Sequence, residues 1–460
     1  MPMKFNAGIL LQRLRDLQGE MKAGRYLVGF SGGLDSTVLL HALVATRGEH
    51  ATPIVAVHVN HALHPDAAAW ERQCRHTARE LAVEYLGREV AVVDDAGIGL
   101  EAAAREARYR ALKALMQDGD VLLSAHHEED QAETLLLNLM RGSGPAGLAG
   151  IGARQYFGPG LLIRPLLGVS RRAIERYARE SGLEWIDDPA NADLRFDRNY
   201  LRQEILPRLR QRWPAVSARL SQTSELASEA SGLLDELGRL DVAAIQGGEA
   251  AGRPDRLSIP ALQSLGVARQ RNVLRFAIRA CGLPRAPSSQ LRQIQNQLLP
   301  ARLDAQPLVR WQGAEARRYR HKLYLLPETN RQPRQPGDIP LLFDDGREVE
   351  LGPGLGALRL ERAFDDRGGA LDPRIIRHGL QIRFRQGGER IRPCGHHVTR
   401  AVKKLLQEQG VLPWMRGNVP LLYSGETLVA VADLWIAADC AQERGISVRW
   451  IEKPLMFQAE

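Results

Sequence analysis

The 460-residue chain contains no apolar run that approaches the roughly 20 residues needed for a membrane-spanning helix. Near its start, basic residues lie among leucines, but Asp16 and Glu20 interrupt any stretch long enough to serve as a signal peptide. The absence of both signals predicts a protein without a membrane segment, located in the cytoplasm.

Cysteine is scarce, with four residues far apart at positions 74, 281, 394 and 440. No two of them form a C-x-x-C pair, which argues against a disulfide scaffold and against a zinc or iron–sulfur site held by cysteines. We therefore expect reduced thiols, most of them buried.

Two common phosphate-binding signatures are missing as well. No Gly-Lys-Ser or Gly-Lys-Thr occurs anywhere, which excludes a Walker A motif. The segment "GSGPAG", residues 142–147, formally matches G-x-G-x-x-G, but it follows a predicted helix and contains a proline. We do not expect it to bind a dinucleotide.

A different glycine-rich turn is present in "LVGFSGGLDSTVLLH", residues 27–41. The apolar residues before it predict a buried strand, and the spacing of apolar residues after Asp35 predicts a helix. Backbone N–H groups converge at such a helix start, and Asp35 offers a carboxylate to a magnesium ion shared with phosphates. The turn therefore suits pyrophosphate and a metal ion; the alternative is a tight turn in which Asp35 only caps the helix.

The surrounding sequence alternates short apolar runs with longer helical patterns, which is typical of a doubly wound α/β domain with a mostly parallel sheet. The predicted strands span residues 26–30, 53–60, 88–93 and 121–126. The predicted helices span residues 66–86, 101–116, 170–181 and 198–212. Trp213 and Pro214 then break the pattern, so we predict a first domain over residues 1–215.

Three further regions follow. Residues 216–327 predict an α-rich domain that ends in a hairpin formed by "LVRWQ" and "HKLYLL". Residues 328–340 are rich in proline and have little to bury, which indicates a linker. Residues 341–460 alternate short strands with one helix and predict a small α+β domain.

The net charge of +8 is concentrated in one segment. Residues 374–404, which we call the basic segment, contain seven Arg and two Lys against a single acid, Glu389. A clustered positive field attracts polyanions, so nucleic acid is the leading partner, although such a run can also be a solvated face. Within it, "RPCGHHVTR" could be read as a zinc site, but its ligands are too crowded for a tetrahedron, and a phosphate-facing loop is preferred.

Three motifs in the first domain carry polar residues, two at predicted strand ends and one on a predicted helix. "HVNHAL", residues 58–63, favours a structural or nucleotide-adjacent role over a metal site. "EAAAREARYRAL", residues 101–112, places two arginines one turn apart, which also fits an ordinary surface helix.

The third motif is "SAHHEEDQAETLLLNLM", residues 124–140, which runs from a strand into a helix. Asp130, Glu133 and Thr134 share one helical face that points back toward His126 and His127. Buried carboxylates need a cation, and the ammonium group of an amino acid would serve. The alternative is an exposed acidic first turn that favours the helix dipole.

"SGGLDS" resembles the PP-loop of N-type ATP pyrophosphatases, which split ATP into AMP and pyrophosphate while adenylating an oxygen of their substrate. The resemblance implies an adenine nucleotide alpha hydrolase-like fold. Together with "RPLL", "WIDDPAN", "RNYLR" and the C-terminal "RQGGERIRP", the motifs resemble the bacterial tRNA(Ile)-lysidine synthetase family over nearly the whole chain. One departure is Glu129, where that family typically has aspartate.

The resemblance implies a ligase. Such an enzyme joins free L-lysine to C2 of the wobble cytidine, position 34, in the isoleucine tRNA with a CAU anticodon, through an adenylated cytidine. ATP is the co-substrate, and Mg²⁺ accompanies it. Related enzymes also suggest a homodimer, although the sequence pattern shows no interface.

By the same resemblance, roles fall on particular residues. Asp35, His126 and Arg198 would be catalytic, Asp35 would also hold the metal, and Asp130 and Glu133 would bind lysine. The residues that would bind ATP are Ser31, Gly32, Gly33, Leu34, Asp35 and Ser36. The residues that would bind tRNA are Arg383, Arg385, Arg390, Arg392, Arg400, Lys403 and Lys404.

Two rival functions stay open at this point. A tRNA thiolase of the same superfamily would need reactive cysteine pairs when it uses an iron–sulfur cluster or a persulfide, and none is present. A non-catalytic tRNA-binding protein would not need the intact Ser-Gly-Gly-x-Asp-Ser turn.

Overall fold

The computed structural model describes the chain from residue 5 to residue 454, except residues 63, 93–98, 247–253, 304, 329–338, 342–347, 353, 363–369 and 377–378. The chain divides into two compact units, residues 1–236 and residues 237–460. Among the described residues, no helix combines the length and apolar character that crossing a membrane demands.

The first unit contains a six-stranded sheet with the order β3-β2-β1-β4-β6-β5. Its strands are β1 (Tyr26–Gly29), β2 (Ile54–Asn60), β3 (Glu84–Glu89), β4 (Val121–Leu123), β5 (Arg154–Phe157) and β6 (Gly160–Ile163). Every neighbouring pair is parallel except β5 and β6, which are antiparallel.

Helices connect these strands and continue beyond them. They are α1 (Ala7–Gln18), α2 (Leu34–Val44), α3 (Ala67–Glu80), α4 (Leu100–Leu115), α5 (Glu128–Met140), α6 (Pro145–Leu148), α7 (Arg171–Glu180), α8 (Asp197–Tyr200), α9 (Leu206–Arg212) and α10 (Val216–Ile245). A π-helical turn, Leu201–Ile205, lies between α8 and α9.

Both faces of the sheet are buried. On one face, Val28 and the strand side chains that point the same way pack with α1, α2 and α7. On the other face, Leu27 and Leu122 pack with Leu112 and Met116 at the end of α4. Because successive side chains of a strand point to opposite faces, this alternation produces two apolar layers. The predicted doubly wound fold is confirmed.

Two local predictions in this unit need correction, and two elements were missed. The helix predicted to reach residue 86 ends at Glu80, because Ala82 adopts a positive φ of 49° and the chain turns into β3. The strand predicted at residues 88–93 spans Glu84–Glu89 instead, and the last residue of the predicted range, 93, lies outside the described residues. The start of this edge strand was not predicted because most of its side chains are polar and exposed. The β5–β6 hairpin and α1 were not predicted.

The second unit contains α11 (Ile259–Gln263), α12 (Val267–Ala280), α13 (Ser288–Gln293), α14 (Pro373–Ile376) and α15 (Val402–Glu408). A four-stranded sheet has the order β7-β10-β9-β8 and consists of β7 (Arg256–Ser258), β8 (Leu308–Trp311), β9 (Ala314–Tyr319) and β10 (Lys322–Pro327). The hairpin predicted between "LVRWQ" and "HKLYLL" is wrong, because both strands pair with β9.

Strand β9 was missed because its charged residues are buried. Glu315 has no exposed surface, and its carboxylate accepts from Arg317 Nε at 2.6 Å and from Arg310 Nε at 3.3 Å. A run that reads as polar in the sequence can form a central strand when its charges pair with one another.

The remaining strands form two five-stranded sheets and one two-stranded sheet. One sheet, in the order β11-β15-β18-β19-β20, consists of β11 (Ile339–Leu341), β15 (Leu380–Phe384), β18 (Pro420–Ser424), β19 (Thr427–Val431) and β20 (Trp435–Ile436). The other, in the order β12-β13-β22-β14-β21, consists of β12 (Glu348–Glu350), β13 (Ala357–Arg362), β14 (Ala370–Leu371), β21 (Ala441–Gln442) and β22 (Ile446–Ile451). Strands β16 (Arg390–Ile391) and β17 (Arg400–Ala401) pair separately.

The predicted domain limits stay predictions. Two apolar cores occur in the second unit, one built on β8–β10 and one on the C-terminal strands, as a helical domain and an α+β domain would have. Most of the predicted linker, residues 329–338, lies outside the described residues, and Ile339 and Pro340 belong to β11.

Candidate active site

The glycine-rich turn, residues 31–36, joins β1 to α2. Gly33 is the N-cap of α2 and provides no side-chain cap, so the alternative in which Asp35 caps the helix is not what the structure contains. Gly32 has a φ of +81°, and a Cβ atom there would lie 2.5 Å from Ile186 Cδ1 and 2.7 Å from Cys74 Sγ. Only glycine fits at this position.

Several donors in this turn point at no acceptor. Within the described part of the chain, no hydrogen bond involves the backbone N–H groups of Gly32, Leu34, Asp35 or Ser36. The hydroxyls of Ser31 and Ser36 lie 3.1 Å apart beside them. Unpaired amides at a helix N-terminus form an anion site, and the positive end of the helix dipole strengthens it.

Asp35 carries an unsatisfied carboxylate oxygen. Its Oδ1 is buried without a hydrogen-bond partner among the described residues, and its Oδ2 lies 3.6 Å from His127 Nε2. A buried acceptor without a partner is costly, and a cation would satisfy it. One carboxylate together with phosphate oxygens and water is a usual ligand set for Mg²⁺, so the residues present fit that ion.

A cavity of about 640 Å³ extends from this turn to the start of α5. The predicted site residues that line it are Ser31, Gly33, Leu34, Asp35, Ser36, His126 and Asp130. Gly32, Glu133 and Arg198 do not line it. One chamber therefore joins the anion site to one of the two predicted lysine-binding carboxylates.

His126 is a neutral side chain in this cavity. Burial, reinforced by the positive charges of Arg164, Arg105 and Arg198, lowers its pKa to about 3 despite the opposing charge of Asp130. Its Nδ1 lies 2.7 Å from Ser124 Oγ, which fixes the orientation of the ring. At physiological pH the ring is therefore uncharged and acts through hydrogen bonds.

The adjacent His127 is shifted in the opposite direction. It is buried at the N-cap of α5, where Nε2 lies 3.5 Å from Asp130 Oδ2 and Nδ1 lies 3.3 Å from Glu129 Oε2. Burial alone would lower its pKa, but Asp130, Asp35 and Glu129 together raise it to about 10. These carboxylates favour the protonated ring, and its contacts tie the glycine-rich turn to α5.

Asp130, Glu133, Arg198 and Arg202 form what we call the charge cluster. Arg202 Nη2 donates to Asp130 Oδ1 at 3.1 Å, and Arg202 Nε donates to Glu133 Oε1 at 2.7 Å. Arg198 Nε donates to Glu133 Oε2 at 3.0 Å. Burial would raise the pKa of Asp130, but His127 and the arginines hold it well below its usual range.

Glu133 has no exposed surface, and two guanidinium groups already occupy its carboxylate. Glu133 and Thr134 lie on one helical face, as predicted, because Arg198 contacts both of them. A direct contact between Glu133 and lysine would require an arginine to move, so that role stays a prediction.

Glu129, the departure from the family pattern, does not line the cavity. Its Oε2 accepts from the backbone N–H of Arg171 at 2.9 Å, and its Oε1 accepts from Arg210 at 3.2 Å. The longer carboxylate thus connects α5 with α7 and α9 in this structure.

Three arginines that were not predicted as site residues, Arg105, Arg108 and Arg202, line the cavity. The spacing of Arg105 and Arg108 was visible, but a surface helix explained it equally well. Arg108 Nε lies 3.2 Å from His61 Nε2, and His58 Nδ1 lies 2.9 Å from the carbonyl oxygen of Phe30, so "HVNHAL" supports the turn.

The basic segment lies in the second unit, and most of its predicted tRNA-binding arginines are paired. Four of them contact carboxylates: Arg383 with Glu426, Arg385 with Glu389, Arg392 with Asp439 and Arg400 with Glu408. Within the described residues, no ion pair involves Arg390, Lys403 or Lys404, all exposed. No group of three or more potential metal ligands occurs among the described residues, so the zinc alternative gains no support.

Three protein-family models match the chain. A PP-loop domain matches residues 8–209, a TilS substrate binding domain matches residues 257–324, and a TilS substrate C-terminal domain matches residues 380–450. The matches follow the order of the predicted domains.

Curated relatives extend over nearly the whole chain. A tRNA(Ile)-lysidine synthase from Alkalilimnicola ehrlichii is 43% identical over 416 residues, which cover 90% of this chain and 91% of that protein. Another from Coxiella burnetii is 38% identical over 406 residues, which cover 88% of each. A solved U34-tRNA thiolase from Methanococcus maripaludis aligns with 48% of this chain and 78% of its own, at 17% identity and a TM-score of 0.41, too low to add to the assignment. From its domains and its relatives, the chain belongs to the tRNA(Ile)-lysidine synthase family.

Proposed function

We propose that this chain joins free L-lysine to C2 of the wobble cytidine in the CAU-anticodon isoleucine tRNA, with ATP as co-substrate. The cytosine O2 attacks the α-phosphate of ATP, and pyrophosphate leaves. The ε-amine of lysine then attacks C2, and AMP leaves with the former O2. The continuous cavity from the glycine-rich turn to Asp130 carries this proposal, because both steps need their groups in one chamber.

The glycine-rich turn would hold the departing pyrophosphate. Its unpaired amides and the hydroxyls of Ser31 and Ser36 are donors where negative charge develops, which favours the transition state over the substrate. Asp35 would hold Mg²⁺ through its unpartnered Oδ1. The ion neutralises charge on the phosphates when bound.

His126 would serve the adenylation step, and because its ring is neutral it would act there through hydrogen bonds and not through a charge. Arg198 is bound to Glu133 and would help to fix the position of that carboxylate.

Asp130 would bind the α-ammonium group of lysine, which leaves the ε-amine free to reach C2. Glu133, predicted for the same task, would orient Arg198 and Arg202. The exposed cations Arg390, Lys403 and Lys404 would contact tRNA phosphates, which position the tRNA without reading its bases. The homodimer and the cytoplasmic location stay predictions.

The proposal is tested with radiolabelled lysine, ATP and total tRNA, followed by nuclease digestion and identification of the labelled nucleoside. We expect one labelled product, a modified cytidine that appears only with ATP, together with equal amounts of AMP and pyrophosphate. Pyrophosphate release without lysine transfer would favour another base-modifying enzyme. Binding of tRNA without ATP cleavage would favour the non-catalytic alternative.

A further inference from the structure

The carboxylates predicted to bind lysine already have cationic partners. Arg202 donates to Asp130 at 3.1 Å and to both oxygens of Glu133, at 2.7 Å and 2.9 Å. Arg198 contributes a further bond to Glu133. Two carboxylates therefore face two guanidinium groups, and no negative charge of this cluster is left for an incoming ammonium ion.

Arg202 is the partner that can leave. It lines the cavity and its side chain is 28% exposed, whereas Arg198 does not line the cavity. It also lies in the π-helical turn Leu201–Ile205, a departure from α-helical geometry that is frequent at functional sites.

The same cavity offers Arg202 a second partner. The anion site of the glycine-rich turn opens into it, and Asp35 is near enough that its charge, with those of Glu133 and Asp130, raises the pKa of Arg202 against the effect of burial. A guanidinium group binds phosphate oxygens in the bidentate geometry that it uses with carboxylates. Bound ATP would therefore compete with Asp130 for Arg202.

We propose that Arg202 occupies the lysine site until ATP binds, and that the phosphates then draw its guanidinium group away from Asp130 so that the lysine ammonium takes its place. This inference rests on the proposed function of the cavity. It makes lysine binding depend on the nucleotide, which gives the two half-reactions their order without any additional domain.

The test measures lysine binding by equilibrium dialysis, with and without α,β-methylene ATP and Mg²⁺, in the full chain. For the wild type we expect lysine to bind at least about tenfold more tightly with the nucleotide, the equivalent of one charge-assisted hydrogen bond. Arg202→Gln and Arg202→Met, which both remove the positive charge, should bind lysine tightly without nucleotide and gain little from it.

Arg171→Gln is the matched control. Arg171 also lines the cavity, but its side chain pairs with Glu175 at 3.3 Å and not with the charge cluster, so this variant should retain the wild-type dependence on nucleotide. Equal lysine affinity with and without nucleotide in the wild type would overturn the inference. So would Arg202 variants that still depend on nucleotide. Failure of the wild type to attach lysine to tRNA would instead refute the proposed function.

Discussion

Charges are arranged differently in the charge cluster and in the basic segment. Glu133 is fully buried between two arginines that are mostly covered. Three of the four acids that pair with the basic segment are open to solvent, with Glu408 57%, Asp439 78% and Glu426 90% exposed, and the exception is Glu389, 9% exposed beside Arg385. Breaking a buried ion pair leaves a buried charge without a partner, which destabilises the protein. An exposed ion pair contributes little to stability because water screens it. Counts of charge along a sequence do not distinguish these two situations.

The largest effect is expected beside the charge cluster, in the glycine-rich turn, for Asp35→Asn. This change removes the carboxylate that would hold Mg²⁺ and should lower the rate of tRNA-dependent pyrophosphate release by roughly 10²- to 10³-fold. Asp16→Asn, a change at an exposed residue of α1, is the control and should leave the rate unchanged. A nearly normal rate in Asp35→Asn would remove Asp35 from the metal site.

Glu133→Gln tests the energetic difference directly. It leaves two guanidinium groups beside a neutral amide, so the free energy of unfolding of the first unit should fall by about 3 kcal/mol, measured by urea denaturation. The matched variant in the basic segment is Glu408→Gln, which breaks the exposed pair with Arg400 and should give no resolvable change. Similar losses in both variants would contradict the comparison.

Asp130→Asn tests the predicted lysine site. Loss of a charge-assisted hydrogen bond costs about 1.5 to 3 kcal/mol, so the KM for lysine should rise roughly 10- to 100-fold. The rate of ATP cleavage at saturating lysine should change much less. A normal lysine requirement would show that Asp130 does not bind this substrate.

The neutral His126 predicts a dependence of stability on pH. Its pKa is about 3 in the folded protein and 6.5 in the unfolded chain, so below pH 6.5 only the unfolded chain takes up the proton. The free energy of unfolding should therefore fall between pH 6.5 and pH 5, and His126→Gln should lose about 2 kcal/mol less than the wild type. If the free energy of unfolding fell equally in the wild type and in His126→Gln, His126 would lie in a solvated environment.

The smallest effect is expected in the double variant Lys403→Gln/Lys404→Gln. These exposed lysines have no ion pair among the described residues, so removing each lysine from a tRNA phosphate should reduce the salt dependence of tRNA binding by roughly 0.7 to 0.9 in log–log slope. Arg392→Gln, which removes a cation already paired with Asp439, should have a smaller effect. An unchanged slope in the double variant would remove these lysines from the tRNA interface.

Local patterns predicted much of the fold and of the anion site. The alternation of β1, β2 and β4 with helices and the conformation of the glycine-rich turn depend on residues adjacent in sequence. The edge strand β3 and the buried strand β9 were mispredicted because their polarity reflects an edge position in one case and internal ion pairing in the other.

The sequence by itself determined the α/β fold, the donors of the glycine-rich turn and the family motifs, because periodicity and glycine positions act over a few residues. Only the tertiary structure decided which charges meet. Arg202 is 69 positions from Glu133, and Glu426 is 43 positions from Arg383, so their pairing depends on how the helices and strands pack. Electrostatic interactions act through space, and the lowered pKa of His126, the raised pKa of His127 and the pairing of Asp130 with Arg202 all follow from that packing.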